Sequence, residues 1–286
     1  MPRKAEAAQT MALAFSKMHG IGNDFVVLDC RQHACTLDAA QIRKMGDRHL
    51  GVGFDQLLTI ERDETADCVF RYGIWNRDGS SSGQCGNGVR CVAAWLARDG
   101  SLEPGLVRLM SPSGPVRVEV LADARVRVDM GEPRFAPADV PFAATAERDR
   151  YRIGVAGCTI EVGAVSMGNP HALIEVGDVE RAEVDMLGPQ VEQAREFAQG
   201  CNVGFAQILS RSAVALRVWE RGVGETLGCG SGGCAAMAVM HRRGQVDDEV
   251  EIRLPGGALL IQWQGPGHPL WMTGPATFVF EGVWHE

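Results

Sequence analysis

The sequence predicts an α+β protein in which one mixed unit, made of strands around a central helix, occurs twice. Short motifs recur in the same order along the chain, which indicates duplication of a unit of ordinary domain size. In each copy, short apolar runs typical of buried strands accompany one clear helical segment. These two observations together predict the fold class.

Four motifs of the first half return in the second half: GNDF (22–25) as GNPH (168–171), VGFDQLL (52–58) as VGFAQIL (203–209), IWNR (74–77) as VWER (218–221), and CGNG (85–88) as CGSG (229–232). In that order their offsets are 146, 151, 144 and 144 residues. Offsets this constant favour duplication over chance, and small loop insertions account for the differences.

Each unit contains runs with the periodicity of strands: 25–28, 56–60, 116–120, 125–129, 213–219 and 258–263. The third and fourth runs alternate with period two, which predicts a hairpin turning at Ala122 and Asp123. The two predicted helices follow the Cys-Gly motifs, from Gly88 to about Arg98 and from Gly233 to about Arg243. They end near Gly100 and Gly244, as expected of C-cap glycines.

The composition is that of a soluble globular protein, with 45% hydrophobic and 22% charged residues and a net charge of −8. No basic cluster predicts nucleic-acid binding, and no apolar run is long enough to predict a membrane span. Residues 1–12 lack the apolar core of a secretory signal and are interpreted as a flexible extension. We therefore expect a cytoplasmic protein.

Nine cysteines without an export signal predict free thiols rather than a disulfide framework. Most free thiols are buried as small apolar groups, and this interpretation is given to five of them: Cys30, Cys35, Cys68, Cys158 and Cys201. Cys91 and Cys234 lie inside the predicted helices, which favours core packing. The spacing within the pairs 85/91 and 229/234 is not that of a zinc site, so no metal is expected.

Cys85 and Cys229 each stand where a Cys-Gly-x-Gly segment enters a helix. A helix N-terminus offers free N–H groups and the positive end of the helix dipole, so it binds carboxylates and favours thiolate over thiol. We expect it to lower the pKa of both cysteines toward neutrality. Two such motifs facing each other across a cleft could hold a Cα–H between two sulfurs. One thiolate would remove the proton and the other thiol would return one to the opposite face, without a cofactor.

Over nearly its whole length, from 15 to 282, the sequence resembles the diaminopimelate epimerase family. The resemblance lies in a set of specific segments: 17–25, 53–56, 76–80, 84–91, 167–171, 219–222, 224–227, 229–232 and 272–276. It implies two pseudo-symmetric halves, each a barrel-like mixed sheet around a central helix, with a C-terminal strand at about 276–283 returning to the first half. The halves are expected to comprise 13–130 with 275–286, and 131–274.

The resemblance also implies the reaction, which interconverts LL- and meso-diaminopimelate for lysine and peptidoglycan synthesis without a cofactor or metal. Cys85 and Cys229 match the acid–base pair of the family, and His171 and Glu220 match residues that tune the thiols. The remaining matches are substrate contacts: Asn23, Gln56, Asn76, Gly86, Asn87, Asn169, Asn202, Glu220, Arg221, Gly230 and Ser231. We expect diaminopimelate as the small-molecule partner, and a homodimer. Gly228 and Ser231 depart from the alanine and threonine of the family pattern.

The alternatives are a proline or hydroxyproline epimerase of the same superfamily, a thiol redox or metal-binding protein, and a non-catalytic homologue. Asn76, Asn202 and Arg221 favour a substrate with a second amino-acid head, which Arg221 would bind as a buried guanidinium. The absence of Cys-x-x-Cys argues against the redox protein. Retention of both motif cysteines argues against the non-catalytic homologue.

Overall fold

The structure is a computed structural model that describes residues 12–63, 68–155 and 157–285. The helices are α1 Ala39–Gly46, α2 Gly86–Arg98, α3 Val184–Glu192 and α4 Gly230–Arg242. The strands are β1 Ala12–Gly20, β2 Asn23–Asp29, β3 Gln56–Arg62, β4 Phe70–Asn76, β5 Gly105–Ser111, β6 Gly114–Val120, β7 Val126–Asp129, β8 Tyr151–Val155, β9 Cys158–Ser166, β10 Pro170–Glu175, β11 Asn202–Ser210, β12 Ala213–Glu220, β13 Gly224–Thr226, β14 Glu249–Leu254, β15 Gly257–Gln262, β16 Trp271–Gly274 and β17 Thr277–His285. The predicted extension lies outside the described residues except for Ala12, which begins β1.

The strands form two series with the same connectivity. In the first half the hydrogen-bonded order is β17-β1-β2-β3-β4-β5-β6-β7. In the second it is β8-β9-β10-β11-β12-β14-β15-β16, with β13 beside β12. β7 pairs with β16 and joins the series. The expected pseudo-symmetric α+β fold is therefore confirmed, and the residue boundaries of the halves stay predictions.

The last strand of the chain crosses from the second series to the first. β8 follows β7 in the chain but pairs with β9, and β17 follows β16 but pairs with β1. This confirms the predicted return of the C-terminal strand to the first half. The last strand of the chain therefore lies beside the first strand.

The strand registers correct one of the four motif pairings. Gln56 opens β3 opposite Phe25 of β2, whereas Asn202 opens β11 opposite His171 of β10. Phe25 and His171 are themselves 146 residues apart, so Asn202 is the structural counterpart of Gln56. Gln207 lies in the middle of β11, where its side chain accepts a hydrogen bond from a loop N–H. The echo at an offset of 151 is therefore a chance similarity.

The two central helices have equal lengths and are surrounded by strands. Helix α2 packs against β1, β2, β3, β6 and β7, and α4 packs against β9, β10, β11, β12, β14 and β15. Ten of the thirteen residues of α4 are buried, as expected of a segment that is apolar nearly all round until His241. Both helices begin two to three residues before the predicted start, because the glycines after Cys85 and Cys229 are already helical.

Two short helices, α1 and α3, were not predicted. Helix α1 places Ile42 and Met45 in an outer apolar cluster of the first half, and α3 places Val184 and Val191 in the corresponding cluster of the second. Each connects a pair of parallel strands, β2 to β3 and β10 to β11. Eight or nine residues give too few turns for a clear periodicity, and Pro189 interrupts the pattern in α3.

The predicted hairpin is confirmed as β6 and β7, and the runs at 213–219 and 258–263 fall in or at the end of β12 and β15. The cysteine predictions need two corrections. Cys30 and Cys35 form a disulfide, since the chain turns back between them and brings their Cα atoms to 5.4 Å. Cys158 is exposed at the start of β9, whereas Cys91 and Cys234 are buried as expected. Within the described residues, no helix has the length and apolar character to cross a membrane.

Candidate active site

Cys85 and Cys229 are the N-cap residues of α2 and α4. Both have the extended backbone conformation typical of that position, so the N–H groups of the next residues point out of the helix. The Cys85 sulfur accepts a hydrogen bond from the Gly88 N–H at 3.3 Å. The Cys229 sulfur lies 3.7 Å from Ser231 Oγ. Each thiol therefore sits at the positive end of a helix dipole.

The two helix starts meet at Met272. A Cβ atom on Gly86 would lie 2.8 Å from Met272 Cε, and one on Gly230 would lie 3.0 Å from Met272 Sδ. Glycine at both positions lets the helices approach the same side chain. Asn87 Nδ2 donates to the Gly228 carbonyl at 2.9 Å, which joins the two halves directly. The structure therefore brings together the motifs of both cysteines.

The polar residues of the first half lie on adjacent strands near Cys85. Asn23 Oδ1 is 3.8 Å from the Cys85 sulfur and accepts a bond from Asn87 at 3.3 Å. Gln56 Nε2 donates to Asn76 Oδ1 at 2.9 Å across β3 and β4. The side-chain Oε1 atom of Gln56 is buried without a hydrogen-bond partner among the described residues.

The polar residues of the second half repeat this arrangement on β10, β11 and β12. His171 Nε2 lies 3.0 Å from Asn169 Oδ1, and Asn202 Oδ1 accepts a bond from the Arg221 N–H at 3.0 Å. Glu220 accepts a bond from Thr226 Oγ1 at 2.5 Å. With the corrected register, the predicted substrate contacts form pseudo-symmetric pairs: Asn23 with Asn169, Gln56 with Asn202, Asn76 with Glu220, Gly86 with Gly230, and Asn87 with Ser231.

Both thiols are harder to ionise than the sequence suggests. Burial raises the pKa of Cys85 to about 11; Glu220 adds to the shift, and the Gly88 N–H and Arg90 oppose it. Burial also raises the pKa of Cys229 well above its usual range, again with a contribution from Glu220. The expectation of thiol pKa values near neutrality is therefore wrong for this structure, because the loss of hydration outweighs the helix N-terminus.

The two predicted tuning residues are themselves shifted by burial. Burial raises the pKa of Glu220, while hydrogen bonds from Thr226 and Cys229 lower it. Burial, together with the positive charge of Arg221, lowers the pKa of His171 to about 3. His171 is therefore a neutral ring near neutral pH, and Glu220 is the carboxyl group that acts on both thiols.

Arg221 differs from its expected state. Its side chain is exposed, and its guanidinium donates to the Gln199 carbonyl at 2.8 Å. The expectation of a buried guanidinium is wrong, because Arg221 follows the end of β12 in a turn. Gly228 has a local reason to differ from the alanine of the family pattern: a Cβ there would lie 2.3 Å from the Ile21 carbonyl oxygen.

Sequence reasoning assigned no role to three residues that the structure places at the site. Met272 separates the helix starts, Thr226 binds Glu220, and Asp55 accepts a bond from Asn23 Nδ2 at 3.0 Å. All three fall in segments that carry the family resemblance, which was the available signal. Among the described residues, no group of three or more His, Cys, Asp and Glu side chains is placed to hold a metal ion.

Solved structures define the class of the fold. A hydroxyproline epimerase from Agrobacterium vitis superposes with a TM-score of 0.68 at 16% identity, covering 96% of this chain and 92% of that one. A PhzF-family phenazine biosynthesis protein from Bacillus anthracis gives a TM-score of 0.69 at 15% identity, covering 96% and 99%. At these identities the likeness shows the shared fold alone.

Sequence comparison identifies the family. The family model described as diaminopimelate epimerase matches residues 15–136 and 163–279. A diaminopimelate epimerase of Xanthomonas euvesicatoria pv. vesicatoria is 52% identical over 275 residues, covering 96% of this chain and 97% of its own. The chain belongs to the diaminopimelate epimerase family and is an isomerase.

Proposed function

We propose that this protein interconverts LL- and meso-diaminopimelate by moving a proton at Cα between Cys85 and Cys229, without a cofactor. The observation that carries the proposal is the convergence of two helices on Met272, each capped by one of these cysteines. The substrate is inferred from the relatives named diaminopimelate epimerase.

The helix starts offer a cradle for the reacting carboxylate. The first turn of each helix has N–H groups without partners inside the helix, and the helix starts at Gly86 and Gly230 both lie against Met272. A carboxylate between them would interact favourably with both helix dipoles. Its Cα would then lie between the two sulfurs, so that one thiolate takes the proton while the opposite thiol gives one.

The substrate itself can help to ionise a thiol. Glu220 raises the pKa of both cysteines, and it is a half-buried carboxylate that an α-ammonium group could reach. When the ammonium pairs with Glu220, the negative charge that opposes thiolate formation is neutralised. The pKa of both thiols then falls toward the range that proton transfer needs.

The second amino-acid head of the substrate would be held by amide and guanidinium groups. Asn76 ends β4 and Asn202 begins β11, and Arg221 follows Glu220 at the exposed edge. An exposed guanidinium can close over the distal carboxylate as it binds. A proline-type substrate has no second head, so this set of contacts favours diaminopimelate over the hydroxyproline substrate of the structural neighbour.

The test is α-hydrogen exchange in deuterated water, followed by NMR and by chiral separation of the products. We expect purified protein to convert LL-diaminopimelate to the meso form with deuterium incorporation, after dialysis against chelator. Cys85→Ala and Cys229→Ala should each lose about 10²–10⁴-fold of the rate, the contribution typical of one acid–base group. Cys158→Ala, which removes an exposed free thiol, is the matched control. Preferential turnover of hydroxyproline would overturn the proposal.

We also infer a homodimer formed along β17. This strand pairs with β1 alone among the described strands, and Val279, Phe280 and Val283 are about half exposed. An apolar edge strand of nine residues favours pairing with a second copy. Light scattering should give twice the chain mass of 30.8 kDa, and Val283→Lys should give the monomer. The cytoplasmic location stays a prediction.

A further inference from the structure

Arg90 is a fully buried arginine in the second turn of α2, directly behind the helix start that carries Cys85. Its guanidinium donates from Nη1 to the Gly86 carbonyl at 3.4 Å and from Nε to the Pro275 carbonyl at 3.3 Å. Nη1 also lies 3.6 Å from Met272 Sδ, the side chain between the two helix starts.

The guanidinium occupies space that two glycines leave open. A Cβ on Gly20, at the end of β1, would lie 2.9 Å from Arg90 Nη2, and one on Gly274, at the end of β16, would lie 3.2 Å from Arg90 Cζ. β1 belongs to the first strand series and β16 to the second, so the charge is held where the halves meet. Glycine at both positions therefore leaves the space in which the Arg90 guanidinium lies.

This cation has no carboxylate partner among the described residues. Its contacts are carbonyl oxygens and a sulfur, Nη2 has no hydrogen-bond partner there, and the titratable groups facing it are Cys85, Cys91 and Cys234. An arginine stays protonated even where burial lowers its pKa, and a buried charge without a counter-ion is costly. Thiols are therefore the groups that can supply the opposite charge.

The charge is present in one half alone. At the offset of 144 residues that relates α2 to α4, the counterpart of Arg90 is Cys234. The second half has a negative charge that the first half lacks at the equivalent position, because Glu220 is the counterpart of Asn76. Tyr72 and Cys91 are the other titratable groups that interact with Cys85, and both are neutral near neutral pH.

We propose that Arg90 is a positioning residue that makes Cys85 the first of the two thiols to ionise, while Cys229 beside Glu220 keeps its proton. The proton that Cys85 loses goes to solvent, and the resulting thiolate interacts with the buried guanidinium in the second turn of the same helix. This proposal rests on the proposed function, since it assigns base and acid to the two cysteines of that site. It is tested without substrate.

The test measures alkylation of each cysteine by iodoacetamide between about pH 6 and 12, a range that includes the pKa of Cys85 at about 11, with peptide mass spectrometry separating Cys85 from Cys229. The thiolate attacks the reagent carbon and iodide leaves, so below the pKa the rate follows the thiolate fraction. Because the reagent is neutral, the lost charge cannot act by steering it. Access to each sulfur cancels when a variant is compared with wild type at the same cysteine.

We expect Arg90→Met to slow alkylation of Cys85 about tenfold or more at a fixed pH, equivalent to a pKa rise of about one unit. Cys229 should change less than about threefold, and Arg90→Lys should restore most of the Cys85 rate. Arg98→Met is the matched control, because it removes the same charge from the exposed end of the same helix. An unchanged Cys85 rate in Arg90→Met would overturn the proposal.

The wild-type protein gives a second result that does not depend on the variants folding. Its Cys85 rate should level off at a lower pH than its Cys229 rate, and the reverse order would overturn the proposal. If the alkylation results hold but diaminopimelate is not epimerised, the proposed function fails and the role of Arg90 stands. If epimerisation holds and alkylation does not, the role of Arg90 fails alone.

Discussion

Replacing Glu220 by glutamine should make Cys229 more reactive and the enzyme less active. Glu220 is the carboxyl group that hydrogen-bonds Cys229 and raises the pKa of both thiols. Glutamine keeps the size and the bond from Thr226 but removes the negative charge. Removing that charge stabilises the thiolate, so the pKa of Cys229 should fall.

The size of the effect follows from the contact. Two unit charges about 4 Å apart interact by about 4 kcal/mol at the effective dielectric constant of about 20 that suits such sites. Glu220 is half-buried, so solvent screens part of this interaction. We therefore expect a fall of about 1–3 pKa units at Cys229, since one unit corresponds to about 1.4 kcal/mol.

Alkylation with iodoacetamide over a range of pH reports this shift, with turnover of diaminopimelate measured on the same preparation. Turnover should fall at least about tenfold, because the α-ammonium group loses its partner, while Cys229 is alkylated faster. Glu249→Gln, at an exposed site on β14, should change neither quantity. If Cys229 in Glu220→Gln were alkylated at the wild-type rate or more slowly, Glu220 would not control this thiol.

Three further predictions follow from the same geometry. Mild peroxide should inactivate the enzyme through a Cys85–Cys229 disulfide, and peptide mapping that found other linkages alone would count against it. Arg221→Met should raise KM for diaminopimelate by about tenfold or more and leave thiol alkylation unchanged, as expected of a group that anchors the distal carboxylate. Met272→Ala should lower the free energy of unfolding by about 2–5 kcal/mol in denaturant titration, because it empties a buried contact between the helix starts.

The sequence predicted the parts of the fold that local patterns define. The offset of 144 residues places α2 and α4 correctly, because both helices follow the same Cys-Gly motif and have the same length. The offset of 151 for Gln56 and Gln207 was wrong, because a short string of common apolar residues can recur by chance. Strand register, which depends on pairing between distant segments, identifies Asn202 as the true counterpart.

The sequence predicted which residues form the site but not their electrostatic environment. The motif around Cys85 indicated a helix N-terminus, whose effect on a thiol is to lower its pKa. Burial has the opposite effect and is larger here, and it depends on the strands of both halves that enclose the site. For Arg221, the motif gave the residue but not its exposure, which depends on the turn after β12.

Pseudo-symmetry alone would give two equivalent thiols, whereas each turnover requires one base and one acid. The equilibrium constant of the reaction is fixed by the two epimers, so unequal thiols cannot favour either product at equilibrium. Unequal thiols determine instead the protonation state of the free enzyme, and therefore which epimer can react with it first. If Cys85 ionises first, turnover of the epimer whose Cα–H faces Cys85 leaves the proton on Cys85 and the thiolate on Cys229. The pair must then exchange protons with solvent before the next molecule of that epimer reacts. Arg90 would set this order from the second turn of α2, where its guanidinium donates to the Gly86 carbonyl, without taking part in the proton transfer itself.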